Sequence, residues 1–578
     1  MRKLIEFDRI PVFTIKEMLY ATVSRYSKRN ALMSKVSGKW VSVTYESLLE
    51  RVNNAGAALY AMGVCPGDRV AVLGENNTNW AVAYLAAACG AVTVVPIDKE
   101  LTAQEVRRIL KVSECQGIFI SSNYFHLIEE LNIPDFVVDI SLNNNEDQSR
   151  EGVIPMDDFI ENGRQNAKNC PEIGYDQAEV KPDDPLSMLF TSGTIGASKA
   201  VCLTHKNVCS NFTAAARSIM IYPEDVFLSV LPIHHVYENT CGFLLPLYAG
   251  SKIAFAESLR KIPDNLKEIK PTVLLAVPLL INKLYKKIKA GIKAKGAEKK
   301  AGAVCSLLSL FGEYAMPLKR KVFREIHDKF GGRIRLFVVG GAAMDPDTAY
   351  GMGKFGFKVL QGYGLSETSP LLAVNRENFY KHDAAGLPVP GVSIRIDNPD
   401  KEGIGEVLAK GPNIMSGYYK NESATKSVFT PDGWFRTGDL GSLDEDGFLL
   451  LCGRKKLVIV TPNGKNVFPE EIEDELVKKD CIMEAMVWPG GSKDMKKHYV
   501  HATIVPDMEF IDAEFDKKNI EITEENIYRE IKKVIKELNE KMADYKRITR
   551  FNIRKEEFPK TSKKTIKRYL VSIDEQSV

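Results

Sequence analysis

Leu186-Ser-Met-Leu-Phe190, Thr191-Ser-Gly-Thr-Ile-Gly-Ala-Ser-Lys199-Ala and Val201-Cys-Leu203 follow one another in the chain. The first and last pieces read as buried strands, and the middle one as a loop of small, hydroxylated and glycine residues ending in one lysine. Glycine lets backbone N–H groups approach a ligand closely. Hydroxyls, N–H groups and a lysine ammonium together suit phosphate oxygens. The spacing is not that of the P-loop, because four residues after Gly193 lead to Ser198 rather than glycine, and Ala200 follows the lysine. A plain polar turn remains the alternative for the loop taken alone.

Outward from this hairpin, strand and helix patterns alternate through about residue 440. Arg69-Val-Ala-Val-Leu73, Gly117-Ile-Phe-Ile-Ser121 and Arg335-Leu-Phe-Val-Val339 read as strands, and Ala103–Val112 as a helix. Alternation of this kind predicts α/β sheets covered by helices. The nearly continuous apolar run from Trp80 to Ile97 is interrupted by Gly90 and Pro96. It reads as a buried helix followed by a buried strand, since a membrane span needs roughly 20 uninterrupted apolar residues. Residues 141–183 are polar and rich in Pro, Asn and Asp, which predicts a long irregular connection. Near the other end, Thr523 followed by Glu524 and Glu525 marks a helix start, and Ile527, Ile531, Val534, Leu538 and Met542 follow at helical spacing.

The chain has 578 residues, a formal charge of +3, 44% apolar residues and 26% charged residues. Those values describe a globular protein of several subdomains and leave no footprint for nucleic acid. Its ten cysteines contain no CxxC pair, so neither a zinc site nor a disulfide framework is indicated. Several lie in apolar runs, as buried thiols of a reducing cytoplasm would. The first residues lack an apolar core of signal-peptide length, which again predicts a cytoplasmic protein. Residues 283–300 carry eight lysines and are followed by the apolar Val304–Phe311. Two readings stay open for 283–311: a solvated helix face with a packed turn, or a basic amphipathic surface resting on anionic membrane.

Further clusters punctuate the chain in a fixed order. Gly340-Gly-Ala-Ala343 follows a strand, where ligands of open α/β sheets bind. Then come Gln361-Gly-Tyr-Gly-Leu-Ser-Glu-Thr368, Trp434-Phe-Arg-Thr-Gly-Asp439, Gly453-Arg-Lys-Lys456 and Asn463-Gly-Lys-Asn-Val-Phe-Pro-Glu-Glu-Ile-Glu473. Together they resemble the adenylate-forming enzymes, from about residue 15 to 570. These include acyl-CoA synthetases, peptide-synthetase adenylation domains and luciferases. Pro271-Thr272, Val277-Pro278, the basic stretch and Lys329-Phe-Gly-Gly332 look like the long-chain fatty acyl-CoA branch.

The resemblance implies an α/β fold with a large N-terminal domain, residues 1–453, made of mixed sheets sandwiched by helices plus a β-barrel-like part. It also implies a small mobile α+β C-terminal domain, residues 454–578, with a hinge at Lys456. The implied reaction joins a carboxylate to ATP as acyl-adenylate, with release of pyrophosphate, and then transfers the acyl group to CoA. Two anions meet in the first step, so the site must neutralise charge. By resemblance, Thr191, Ser192, Gly193, Thr194, Gly196 and Lys199 hold the β- and γ-phosphates. Ser366 bonds phosphate, and Glu367 binds Mg²⁺. Tyr363 flanks adenine beside Gly341, Ala342 and the Gln361-Gly362 and Gly364 backbone. Asp439 accepts from the ribose hydroxyls, and Arg454 assists. His235, in Leu231-Pro-Ile-His-His-Val-Tyr-Glu238, borders the acyl pocket, and Gly464 and Lys465 line the pantetheine tunnel.

The chain departs from the family pattern in two places. Ile195, Ser198 and Ala200 stand where Thr, Pro and Gly are usual. The family's Pro-Lys-Thr-x-x-Gly-Lys-Ile-x-Arg reads here Pro559-Lys-Thr-Ser-Lys-Lys-Thr-Ile-Lys-Arg568, so the adenylation lysine falls on Thr565 and its preceding glycine on Lys564. Either Lys564 substitutes, or adenylation is impaired and the chain is an acyl-adenylate or nucleotide-binding protein. A ligase for aryl or other carboxylic acids is the third reading.

Overall fold

The hairpin is present. Pro185–Thr191 pairs antiparallel with Lys199–Thr204, and Thr191 stands opposite Lys199. The computed structural model describes residues 6–129, 134–142, 150–169, 174–191, 199–461, 465–490, 499–560 and 566–571. These residues divide into two compact units. The larger comprises residues 1–394, 409–435 and 445–449, and the smaller 395–408, 436–444 and 450–578.

In the larger unit the hairpin belongs to an eight-stranded sheet. Its order is Gly417–Tyr418, Lys199–Thr204, Pro185–Thr191, Thr93–Ile97, Arg69–Leu73, Gly117–Ile120, Phe136–Asp139 and Val153–Pro155. Arg69–Leu73 runs parallel to both its neighbours. Its apolar run is buried on both faces, as a central parallel strand requires. The helix Thr78–Cys89 is buried along its whole length, and Asn77 caps it by accepting from the Trp80 N–H at 2.8 Å. That explains a segment apolar on every side without a membrane. Among the described residues no helix is long and apolar enough to cross a membrane.

A second, nine-stranded sheet has the order Leu387–Pro388, Leu371–Val374, Lys358–Gly364, Leu336–Val339, Val273–Ala276, Val226–Ser229, Lys252–Phe255, Asn30–Val36 and Lys39–Thr44. Leu336–Val339 runs parallel to both neighbours, so the glycine pair at 340–341 leaves its carboxyl end. Cys89, Cys115, Cys209, Cys241, Cys305 and Cys481 are free and buried.

One expectation is corrected. Residues 141–183 are not irregular throughout, because Val153–Pro155 forms the edge strand and Met156–Asn169 a helix. That helix lies against Tyr45–Ala61 so closely that a Cβ on Gly163 would stand 1.8 Å from the Asn54 carbonyl oxygen. Its charged exposed face hides the helical period from a reading by composition.

The smaller unit contains most of a four-stranded sheet, in the order Ser393–Asp397, Gly405–Lys410, Phe435–Leu443 and Leu449–Arg454, and a three-stranded one. In the latter, Tyr499–Pro506 pairs antiparallel with Ile482–Gly490 and parallel with Ile548–Ile553. The helix Glu524–Asn539 is capped by Thr523, which accepts from the Asn526 N–H. It buries Ile531, Ile535 and Leu538 in this unit's core, with Ile527, Val534 and Met542 partly buried beside them.

Candidate active site

In the larger unit the phosphate-loop lysine and the candidate magnesium ligand are joined through a third residue. Lys199 opens the returning strand, and its Nζ lies 4.5 Å from the centre of the Tyr418 ring. Gly417–Tyr418 pairs with that same strand, which brings the ring beneath the ammonium. The Tyr418 hydroxyl donates to Glu367 Oε1 at 3.0 Å. Burial, and the Glu367 carboxylate next, push the phenol well above its ordinary pKa. It therefore stays a hydrogen-bond donor at any working pH. Cation and carboxylate are thus held on one aromatic side chain.

Glu367 sits in the turn Ser366–Thr368, directly after the strand Lys358–Gly364. Its backbone carbonyl accepts from the Met415 N–H at 2.8 Å. Asn211 and Asn413 each donate to the carbonyls of Thr368 and Leu371, fixing the turn from two sides. A side chain at Gly364 would drive its Cβ to 1.8 Å from the Pro370 carbonyl oxygen, so only glycine permits this fold of the chain. Glu367 is a single, part-exposed carboxylate. One carboxylate suits Mg²⁺, which takes most of its oxygens from phosphate and water.

Val339 pairs with Gln361, so the glycine pair at 340–341 and the Gln361–Gly364 segment leave neighbouring strand ends. Gly341 has φ +85° and is exposed, as is Ala342. Gln361 Oε1 is buried without a hydrogen-bond partner among the described residues. Such an acceptor fits an incoming amino group, as on adenine. His235 follows the strand Val226–Ser229 and is half-buried. Its N–H donates to the Pro232 carbonyl, and its carbonyl accepts from Asn239 N–H at 2.8 Å.

In the smaller unit Asp439 is buried and Arg454 exposed, and Arg454 Nε lies 2.7 Å from Asp439 Oδ1. The Asp439 N–H donates to Thr437 Oγ1 at 3.1 Å, and the Thr437 hydroxyl donates to the Val407 carbonyl. Lys456 lies in the short turn Lys455–Leu457 and is exposed, as is Lys465. Near the chain end, Lys560 pairs with Glu484 and Glu557, and Arg568 makes a two-pronged pair with Glu473. Ser192, Gly193, Thr194 and Gly196 of the phosphate loop, Gly464, and the Lys564-Thr565 pair lie outside the described residues.

The sequence reading did not single out Tyr418, Asn211 or Asn413. Tyr418 lies 51 residues from Glu367 and carries no motif, and only strand pairing brings it there.

The paired strands that end at Thr191 and start at Lys199, the acidic turn at Ser366–Thr368 and the glycine pair at a strand end sit together in an α/β fold. A family model described as AMP-binding enzyme matches residues 19–419, and one described as AMP-binding enzyme C-terminal domain matches residues 456–573. The chain belongs to the AMP-binding enzyme family. The long-chain-fatty-acid–CoA ligase FadD15 of Mycobacterium bovis is 32% identical over 472 residues, covering 78% of this chain and 76% of that one. Long-chain-fatty-acid–CoA ligase 6 of Mus musculus is 27% identical, over 86% of this chain and 74% of its own. Among solved structures, ATP-bound MatB from Rhodopseudomonas palustris superposes with a TM-score of 0.72 at 24% identity, over 96% of this chain and 97% of the other. The anthranilate CoA ligase AuaEII, in complex with anthranoyl-AMP, superposes with a TM-score of 0.74 at 19% identity, over 97% of each chain. The two structures carry the mixed α/β fold with its larger and smaller domains.

Proposed function

We propose that this enzyme activates a fatty carboxylic acid with ATP and passes the acyl group to CoA, releasing pyrophosphate and AMP. The observation that carries it is the Lys199–Tyr418–Glu367 arrangement, in a chain 32% identical to a long-chain-fatty-acid–CoA ligase. Lys199 and the loop before it neutralise the outer phosphates. Glu367 would hold Mg²⁺, which would supply positive charge beside the phosphates for the approach of the carboxylate to the α-phosphorus. Gln361, Gly341, Ala342 and Tyr363 receive adenine, Ser366 the phosphate, Asp439 the ribose hydroxyls with Arg454 in support, and His235 the acyl mouth. The proposed functional division is 1–453 and 454–578, although the smaller compact unit also takes in 395–408 and 436–444. The second rotates about Lys456 to bring Gly464 and Lys465 to the pantetheine arm.

The test is CoA-thioester formation across a panel of fatty and aryl acids. AMP release requiring both CoA and a fatty acid is the expected result. Preference for aryl acids, or nucleotide binding without turnover, overturns it. Gly464→Leu should spare adenylate formation and suppress thioester formation.

One observation bears on the chemistry at Thr565. The flanking cations Lys560 and Arg568 are held by Glu484 and Glu473, respectively. Lys564, beside Lys563 and Lys567 in the same stretch of sequence, is the residue proposed to meet the α-phosphate. Loss of such a donor costs roughly 10²–10³ in rate. Lys564→Ala should lower ATP–pyrophosphate exchange by about that factor, and Thr565→Lys should raise exchange. Unchanged exchange in Lys564→Ala sinks the assignment. The enzyme is further proposed to be cytoplasmic and to rest on anionic membrane through residues 283–311.

A further inference from the structure

Asp98 directly follows the strand Thr93–Ile97 of the eight-stranded sheet. His234 and His235 belong to the segment after Val226–Ser229 of the nine-stranded sheet. One ligand atom from each of the three lies within 4.8 Å of the other two. His234 Nε2 approaches Asp98 Oδ1 at 3.4 Å, and the two imidazole rings are 4.3 Å apart between centres. His234 is only 6% exposed, and its Nε2 makes no aligned hydrogen bond. A buried ring nitrogen left in that state is costly.

The segment is held by its backbone. The Asn76 side chain accepts from the Ile233 N–H at 3.0 Å and donates to the Leu231 carbonyl at 2.6 Å. Both histidines are therefore presented from a fixed stretch of chain.

We propose that Asp98, His234 and His235 form a binding site for a divalent transition metal, and that Zn²⁺ is the ion it fits. Two imidazoles and one carboxylate are the donor set of three-ligand zinc sites that keep a fourth position open. Imidazole donors disfavour Mg²⁺ and Ca²⁺, so this site is separate in chemistry from the one at Glu367. Zinc–nitrogen and zinc–oxygen bonds of about 2.0–2.2 Å set ligand atoms about 3.3 Å apart. The three ligand atoms, now within 4.8 Å of one another, would have to draw in to that spacing. The metal satisfies His234 Nε2 and offsets the Asp98 charge. On the acyl-mouth role given above to His235, zinc here withdraws that imidazole and slows thioester formation. That consequence rests on the proposed function, whereas the site does not.

The experiment uses the full chain stripped with chelator and titrated with Co²⁺ alone. Visible d–d bands are expected, without the thiolate charge-transfer band that cysteine ligation would produce. Zn²⁺ should then displace the cobalt at one ion per chain. His234→Gln, which keeps size and polarity, and Asp98→Asn should each weaken Zn²⁺ at least about tenfold, with circular dichroism confirming the fold. A charge-transfer band, no cobalt spectrum, or unchanged affinity in His234→Gln overturns the site. Zinc binding without inhibition leaves the site standing and overturns only the acyl-mouth role of His235.

Discussion

At Glu238 the carboxyl is buried, with Oε1 accepting from the Ser229 hydroxyl at 2.6 Å and Oε2 unpartnered among the described residues. Burial pushes its pKa up to about 8. Between the ordinary value of 4.5 and about 8 the native state keeps a proton that the unfolded chain has lost. The unfolded state then binds fewer protons, so stability falls as pH rises through that window. Glu238→Gln keeps the bond from Ser229 and removes the titration. The variant should melt at nearly the wild-type temperature at pH 5 and several degrees higher at pH 8, a gain of roughly a few kcal/mol. Equal melting temperatures at both pH values would falsify this. Tyr418 gives a second prediction at this scale. Tyr418→Phe keeps the ring under Lys199 but deletes the bond to Glu367. A hydrogen bond to a charged group is worth about 1.5–3 kcal/mol, so ATP–pyrophosphate exchange should fall about 10- to 100-fold. Exchange at the wild-type rate would mean that the hydroxyl does not position Glu367. Glu367, Lys199 and Asp439 could be picked out as candidates because each sits in a quoted motif. Tyr418 and the Asp98–His234 approach were not, since strand pairing and a meeting of two sheets create them.

Elements were legible where pattern and environment agree. The hairpin at 185–204 and the strand Arg69–Leu73 stand where apolar runs and flanking turns put them. The helix Thr78–Cys89 was legible through its uniform apolarity, which a wholly buried helix shares with no surface helix. Met156–Asn169 was missed because its exposed face is charged, and its contact with Tyr45–Ala61 depends on a missing side chain. Gly163→Ala tests that contact. At an open helix position the change would gain about 1 kcal/mol. Here the new Cβ meets the Asn54 oxygen at 1.8 Å and the Ala58 nitrogen at 2.8 Å. Both are backbone atoms, so the helices must separate. A net loss of about 1–3 kcal/mol is expected in urea unfolding; a stabilised variant would show that the two helices part freely.

For the molecule as a whole, the formal charge of +3 conceals its distribution. Residues 283–300 hold eight lysines and one acidic residue. The structure places seven of the lysines on the helix Pro278–Ala294 and the start of Glu298–Ser309, with Lys295 just past the end of the first. The same region exposes apolar side chains, with Leu307 60%, Leu310 79% and Phe311 61% accessible. Cys305 and Leu308 turn inward, so the stretch that one of the two sequence readings made a packed turn is largely helix, packed on one face only. An apolar ridge beside lysines has the composition of a surface that enters the headgroup layer of anionic lipid. Each lysine near such a surface contributes about 1 kcal/mol, and this contribution is screened by salt. The full chain should float with vesicles containing phosphatidylserine and not with phosphatidylcholine alone, and high salt should release it. Replacing Lys286, Lys287, Lys293 and Lys295 with Glu should abolish flotation. Leu310→Ser with Phe311→Ser should weaken it at every salt concentration, because the apolar part is unscreened. Flotation that survives the four charge reversals, or none with the wild type, rejects the membrane surface and leaves the lysines as a solvated helix face.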